Sequence, residues 1–333
     1  MLRTFDEKLN GFLFVVILPF LLFFMSYYGF ESSYAKLKTM EKAPGFMFSS
    51  VYAYRVIPNF LMVHVTDGAG FIIDNYFFSF KSFLLKNGTI FYHSIFLINS
   101  FFFVLSSVLL ELIIRLRPNA FLLNHHVKRL LHLAAVFFIV IAQYVPTNCD
   151  SIAVFFYLLG VWCTLKYFHL RKPQYFIWLC LSIFIATFVR ETACLNIAFF
   201  AAVFIDLKKI KDKNFDFLKD IILLIPSFVL PYVVLRMIIP QNTSFFEGIY
   251  FVKNFTSPFN LAGLLFGLLA FYFTFKLSDS DGKVILKKYL FFSLPYLGMI
   301  TLVGLFWETR LFLPLILTGM VVASHQFKTF HTV

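Results

Sequence analysis

Charge is scarce in this sequence. Asp, Glu, Lys and Arg make up 14% of its 333 residues, against about 25% in an ordinary soluble domain. With 60% of residues hydrophobic, too little polar surface remains to keep the chain in water, which excludes a soluble globular domain. Cysteine is sparse as well. Cys149, Cys163, Cys180 and Cys194 are scattered and three lie inside apolar runs, so they read as small core residues and exclude a disulfide or metal framework. No GxGxxG, Walker, HExxH or CxxC motif occurs, which removes the commonest nucleotide- and zinc-dependent chemistries. Period-two alternation is missing, so a closed barrel is not expected. Internal repeats and low-complexity linkers are missing too, and residues 1–333 read as a single transmembrane domain. The first apolar run, Phe12 to Tyr28, has no small-residue cleavage site and reads as a retained helix.

What the sequence has is phenylalanine, 50 of it, in continuous apolar runs long enough to cross roughly 30 Å of hydrocarbon. Only helices or closed barrels satisfy their backbone there. The expected class is therefore all-α: a polytopic transmembrane helical bundle of about ten spans, near 12–29, 89–114, 130–146, 151–168, 174–189, 192–205, 218–239, 259–276, 286–304 and 311–324. The net charge of +12 does not point to nucleic acid, because the Lys and Arg sit in short clusters between apolar runs, as topology signals do. With the N-terminus in the cytoplasm, 19 of the 29 basic residues fall on the inner side. Six of the other ten belong to the first outer loop. Both termini are then cytoplasmic, and the setting is a cell inner membrane crossed many times.

That counting decides residues 174–205. A single helix would bury Arg190 and Glu191 at its centre, at about 2.5–3.5 kcal/mol for a charge by insertion scales. It would also send Lys208, Lys209, Lys211 and Lys213 outward. Two short helices meeting at Arg190-Glu191 avoid both problems. Glu31, Asp150, Glu191 and Glu308 then share the outer side with Arg55, Arg190 and Arg310. The outer first loop, 30–88, is too apolar for a linker. Its segments 46–65 and 71–85 read as interfacial helices separated by Gly68 and Gly70. Three Asn-x-Ser/Thr sites, at Asn87, Asn242 and Asn254, also fall outside.

Ordered motifs run through nearly the whole chain: Glu31 with Tyr34, then 54-YRVIP-58, an Asp opening the fourth span in 148-NCDSIAVFFYLLG-160, 190-RET-192, and 308-ETRLFLP-314. With the long first outer loop, this set resembles the GT-C glycosyltransferases, and is closest to poorly characterised bacterial multi-spanning proteins of this type. The sequence departs from the GT-C pattern in having one acid after the first span, with Asp67 and Asp74 much later. The resemblance implies an inverting transferase that uses a polyprenyl-phosphate sugar donor at the outer face and serves the cell envelope. The acceptor is an unknown glycan, lipid or protein. A carboxylate would take the proton of the attacking hydroxyl, with Glu31 the first choice and Asp150 the second. Arg55, Arg190 and Arg310 would meet the leaving phosphate, Glu191 and Glu308 would orient them, and Tyr34 would line the substrate side. Oligosaccharide-transferring relatives hold a divalent metal with acids of the first two outer loops, here Glu31 and Asp150. The rival classes are a lipid or polysaccharide transporter or flippase, and a non-catalytic membrane assembly subunit. The absence of an inverted repeat and the gathering of charge at one face argue against the first.

Overall fold

The computed structural model describes residues 9–29, 35–48, 52–143, 147–205, 216–239 and 248–327. Among these the chain is helical, with one isolated backbone bridge, Pro118 to His325, and no strand. Twelve helices organise it: α1 Leu9–Gly29, α2 Val56–Tyr76, α3 Ile90–Leu116, α4 His125–Ala142, α5 Asp150–Leu170, α6 Pro173–Thr187, α7 Cys194–Phe204, α8 Asp216–Ile238, α9 Pro258–Leu277, α10 Ser280–Phe292, α11 Leu294–Val303 and α12 Leu313–Ser324. Among the described residues, seven helices are long and apolar enough to cross a membrane, and the bent pair α10–α11 would make an eighth. Large apolar side chains point outward along the bundle, among them Phe259, Met237 and Phe83. That surface suits hydrocarbon and identifies a multi-pass helical membrane bundle.

Local chemistry sets the helix ends. Thr89, Asn124 and Asp279 accept from the backbone N–H of Tyr92, His126 and Gly282 and so cap α3, α4 and α10. Proline opens α6, α9, α11 and α12, where its missing N–H is harmless. The expected span 286–304 is in fact two helices bent by 50°. Pro295 sits just past the break at Ser293 and has no N–H to continue the ladder.

The segment following α1 corrects one expectation. Gly68 and Gly70 do not separate two helices, since α2 runs straight through both. Each glycine costs about 1 kcal/mol relative to alanine, too little to break a 21-residue apolar helix that gains by closing its own hydrogen bonds. The break falls at Phe77, followed by short turns over Phe78–Asn87. Gly45–Phe48 forms only a tight turn. Although α2 is long enough to span, it starts beside Phe188, whose carbonyl accepts from the Ile57 N–H at 3.3 Å. Fifteen residues beyond Arg55, Gly70 lies against Ile90 at the start of α3.

At the opposite end, α3, α5 and α12 are tied together. The Asn119 amide donates to the Ala323 carbonyl at 2.5 Å, and the Nε2 atoms of His169 and His325 lie 2.6 Å apart.

Candidate functional site

The site is built where α5, α6 and α12 begin or end. The helix across 174–205 is interrupted, as the charge argument expects: α6 stops at Thr187, Arg190 is fully extended, and a single tight turn at Glu191–Ala193 leads into α7. This lets the Arg190 side chain reach the start of α5. There Asp150 takes the Arg190 guanidinium on Oδ1. On Oδ2 it takes Arg310 Nη1 at 2.8 Å and the Thr147 hydroxyl at 2.5 Å. Arg310 also reaches Glu308 through Nη2 at 2.7 Å and Nε at 3.1 Å. Asp150, Arg190 and Arg310 are all buried.

Arg55 completes the cluster differently. It is 7% exposed, yet its Nη1 donates to the Cys149 sulfur at 2.9 Å and its face stacks 4.2 Å from the Tyr52 ring. Its Nε has no hydrogen-bond partner. Burial disfavours the Arg55 cation, but Cys149, Glu191, Tyr52 and Asp150 outweigh burial and hold it above its ordinary value. A second residue, absent from the sequence-based set, joins here. Arg236, in the last turn of α8, packs 4.2 Å over Tyr54 and 4.9 Å over Tyr232. Arg55, Arg190, Arg236 and Glu191 line one narrow cleft with Tyr54, Thr187, Val189, Tyr232 and Leu235. Its volume of about 10 Å³ holds roughly one water.

Asparagines fix the frame. Asn59 of α2 donates to the carbonyls of Met47 and Tyr52, both at 3.0 Å, and accepts from Asn148 at 2.7 Å. Asn99 of α3 donates to the Thr147 carbonyl at 2.6 Å and to the Tyr27 hydroxyl at 2.8 Å.

Of the residues picked from sequence, Arg55, Asp150, Arg190, Glu191, Arg310 and Glu308 come together. Glu31 and Tyr34, with the Asn242 site, lie outside the described residues. Asp150 has both oxygens occupied by two guanidinium groups and a hydroxyl. In this geometry it anchors two arginines, a positioning role beside the proton-accepting one anticipated above. Among the described residues no group of three His, Cys, Asp or Glu side chains could hold a metal ion. The arginines around Asp150 do not fit a divalent cation, because like charges would oppose it. Asn254, one of the three Asn-x-Ser/Thr positions, is buried and spends its amide on the Thr301 and Gly304 carbonyls. Asn87 is exposed.

No family model matches this chain, and no curated protein or solved structure does either.

Proposed function

We propose that the chain is a membrane-embedded, inverting glycosyltransferase of GT-C type that takes its sugar from a polyprenyl-phosphate donor at the outer membrane face. The observation carrying this reading is the convergence of four arginines at one end of the bundle, with Arg55 buried and without a carboxylate ion-pair partner among the described residues. Charged groups near hydrocarbon are retained where they pair or meet a ligand. Arg55, Arg190, Arg236 and Arg310 face Asp150, Glu191 and Glu308, an excess of one positive charge among the named groups.

In the reaction, the acceptor oxygen bonds to the anomeric carbon as the bond from that carbon to the phosphate oxygen breaks. The electron pair leaves with the phosphate, and guanidinium groups already in position stabilise it. The hydroxyl proton goes to a carboxylate, for which Glu31 remains the choice once Asp150 is committed to its arginines. Asp150 acts as a positioning residue, holding Arg190 and Arg310 side by side. The cleft is too small for a phosphate as it stands, and opening requires Arg236 to leave its seat on Tyr54 and Tyr232. Ten spans, with both termini inside, complete the reading. Concentration of charge at helix ends supports it over a transporter, whose ionisable groups line a midplane path.

Reconstituted chain supplied with a radiolabelled polyprenyl-phosphate sugar tests this. Arg55→Ala should weaken donor binding by about 10–100-fold, the value of a charged hydrogen bond. Glu31→Gln should bind donor and transfer nothing. Full transfer by Glu31→Gln, or unaltered donor binding by Arg55→Ala, would overturn the assignment.

A further inference from the structure

A second polar cavity lies farther out at the same end, where α1 finishes and α3 begins. Its volume is about 740 Å³, and its lining includes Lys38, Lys42, Lys81, Lys86, Glu41 and the α3 cap residue Thr89. Four lysines against one glutamate leave three excess positive charges in the wall. Of the four, only Lys81 has a carboxylate within ion-pair distance among the described residues, Asp74 at 2.8 Å on the exposed rim.

The cavity is a built feature. The Thr89 N–H donates to the Lys38 carbonyl at 3.1 Å and its hydroxyl donates to the Met40 carbonyl at 2.5 Å. These bonds clamp the lysine-bearing segment to the first turn of α3. The Tyr28 hydroxyl meets His93 Nδ1 at 2.6 Å, and the Tyr92 hydroxyl donates to the Tyr27 carbonyl at 2.7 Å, so the floor is fixed to α1. The start of the 27-residue α3 opens into this wall, and its uncapped N–H groups add partial positive charge of the same sign as the lysines.

The cavity is separate from the arginine cluster. Asn99 marks the level of Thr147 and Asp150 on α3, and Ile90 lies nine residues nearer the end, about 14 Å away. The chemistry differs as well. Arginines in the inner cleft offer planar forks at fixed positions, whereas lysines offer compact charges on flexible stems, suited to a ligand with several mobile anionic groups. A volume of this order accommodates a small molecule of several polar groups, well beyond a single ion.

We propose that this lysine cavity binds a ligand carrying several phosphate groups. Anionic lipid headgroups and free phosphate-bearing saccharides share that chemistry. The inference stands apart from the transferase reading, since it uses none of the arginines.

The test uses the full chain in nanodiscs of phosphatidylcholine, probed with soluble tripolyphosphate, and in a parallel arm in nanodiscs containing phosphatidylglycerol with the same probe. Tripolyphosphate should bind in the neutral discs, and binding should weaken steeply as salt rises. The triple variant Lys38→Gln, Lys42→Gln, Lys86→Gln should lose at least roughly tenfold in affinity, while Lys172→Gln, exposed between α5 and α6 at the opposite end, should bind as the unaltered chain does. Binding that persists beside phosphatidylglycerol assigns the cavity to a free ligand. Binding abolished by phosphatidylglycerol, together with lysine-dependent protection by that lipid, assigns it to a headgroup. Protection is read on the unaltered chain by acetylation of Lys38, Lys42 and Lys86, so the test survives a variant that does not fold. Equal affinity in the triple variant, or no protection of these lysines by either probe, would overturn the proposal.

Discussion

Replacing Asp150 with Asn removes one negative charge that two buried arginines share. Breaking a buried ion pair from one side destabilises by about 3–5 kcal/mol, because the surviving charge stays buried without compensation. Among the described residues, the loss leaves Arg190 without an ion-pair partner and Arg310 with only Glu308, which is 26% exposed. The upper part of that range therefore applies. Thermal unfolding in detergent, followed by light scattering and by loss of the monodisperse peak, reads the change. The informative comparison is a triple variant, Asp150→Leu with Arg190→Met and Arg310→Met. Exchanging a whole buried ion cluster for apolar residues is often neutral or stabilising, so this chain should melt near the parent, well above Asp150→Asn. It should also bind no lipid phosphate. If Asp150→Asn melts like the parent, the cluster is not the closed, buried network described. If the triple variant melts normally and keeps donor binding, the arginines serve packing alone and the site assignment fails.

Other outcomes can be checked alongside. An impermeant maleimide should label Asn87→Cys in intact cells and leave Ser280→Cys untouched until the membrane is opened; the reverse pattern would invert the topology. Expressed in a secretory membrane, the chain should carry glycan at Asn87 and none at Asn254, whose buried amide is already engaged; a mass shift at the Asn254 peptide would refute that packing. Gly263→Ala should destabilise by about 1–3 kcal/mol or more, since its Cβ would lie 2.1 Å from the Phe306 carbonyl oxygen, whereas Gly298→Ala, with open space around it, should melt unchanged. Burial, with His169 and Arg117, pushes His325 down to about 3. The unfolded chain then binds more protons between about pH 6.5 and 3, so stability should fall across that window as pH drops, by up to about 1.4 kcal/mol per pH unit. In His325→Ala this dependence should flatten, and an unchanged slope would refute its origin.

Much of this was legible because hydrocarbon imposes simple rules. Each of the ten apolar runs has a helix, or for 286–304 a bent pair, at its position. The interruption at Arg190 follows from the expense of a central charge and from the lysines beyond it. The gathering of Arg55, Asp150, Arg190 and Arg310 was readable because all four sit at helix ends assigned to one side. Arg236 was missed. It lies inside an apolar run with no motif around it, and its role depends on Tyr54 and Tyr232, contacts between elements far apart in sequence. A basic residue in the last turn of a long apolar helix was the available signal. The continuity of α2 through Gly68 and Gly70 was not legible, because glycines that loosen a helix where water competes for the backbone do not do so where the helix must close its own hydrogen bonds. The commitment of Asp150 to its arginines depends on side-chain geometry that no spacing rule encodes.

The segment before α12 has little secondary structure of its own, yet it is held firmly by two amides. Asn254 accepts from the Phe306 N–H at 3.2 Å, and Asn260 of α9 accepts from the Trp307 N–H at 3.0 Å. With Gly263 allowing the Phe306 backbone to touch α9, the turn carrying Glu308 and Arg310 is in effect a branch of α9. A rearrangement that repositions Arg310 must therefore drag α9 with it. The apolar groove walled by Phe259, Gly263, Phe266, Trp307 and Thr309 would change width in the same stroke.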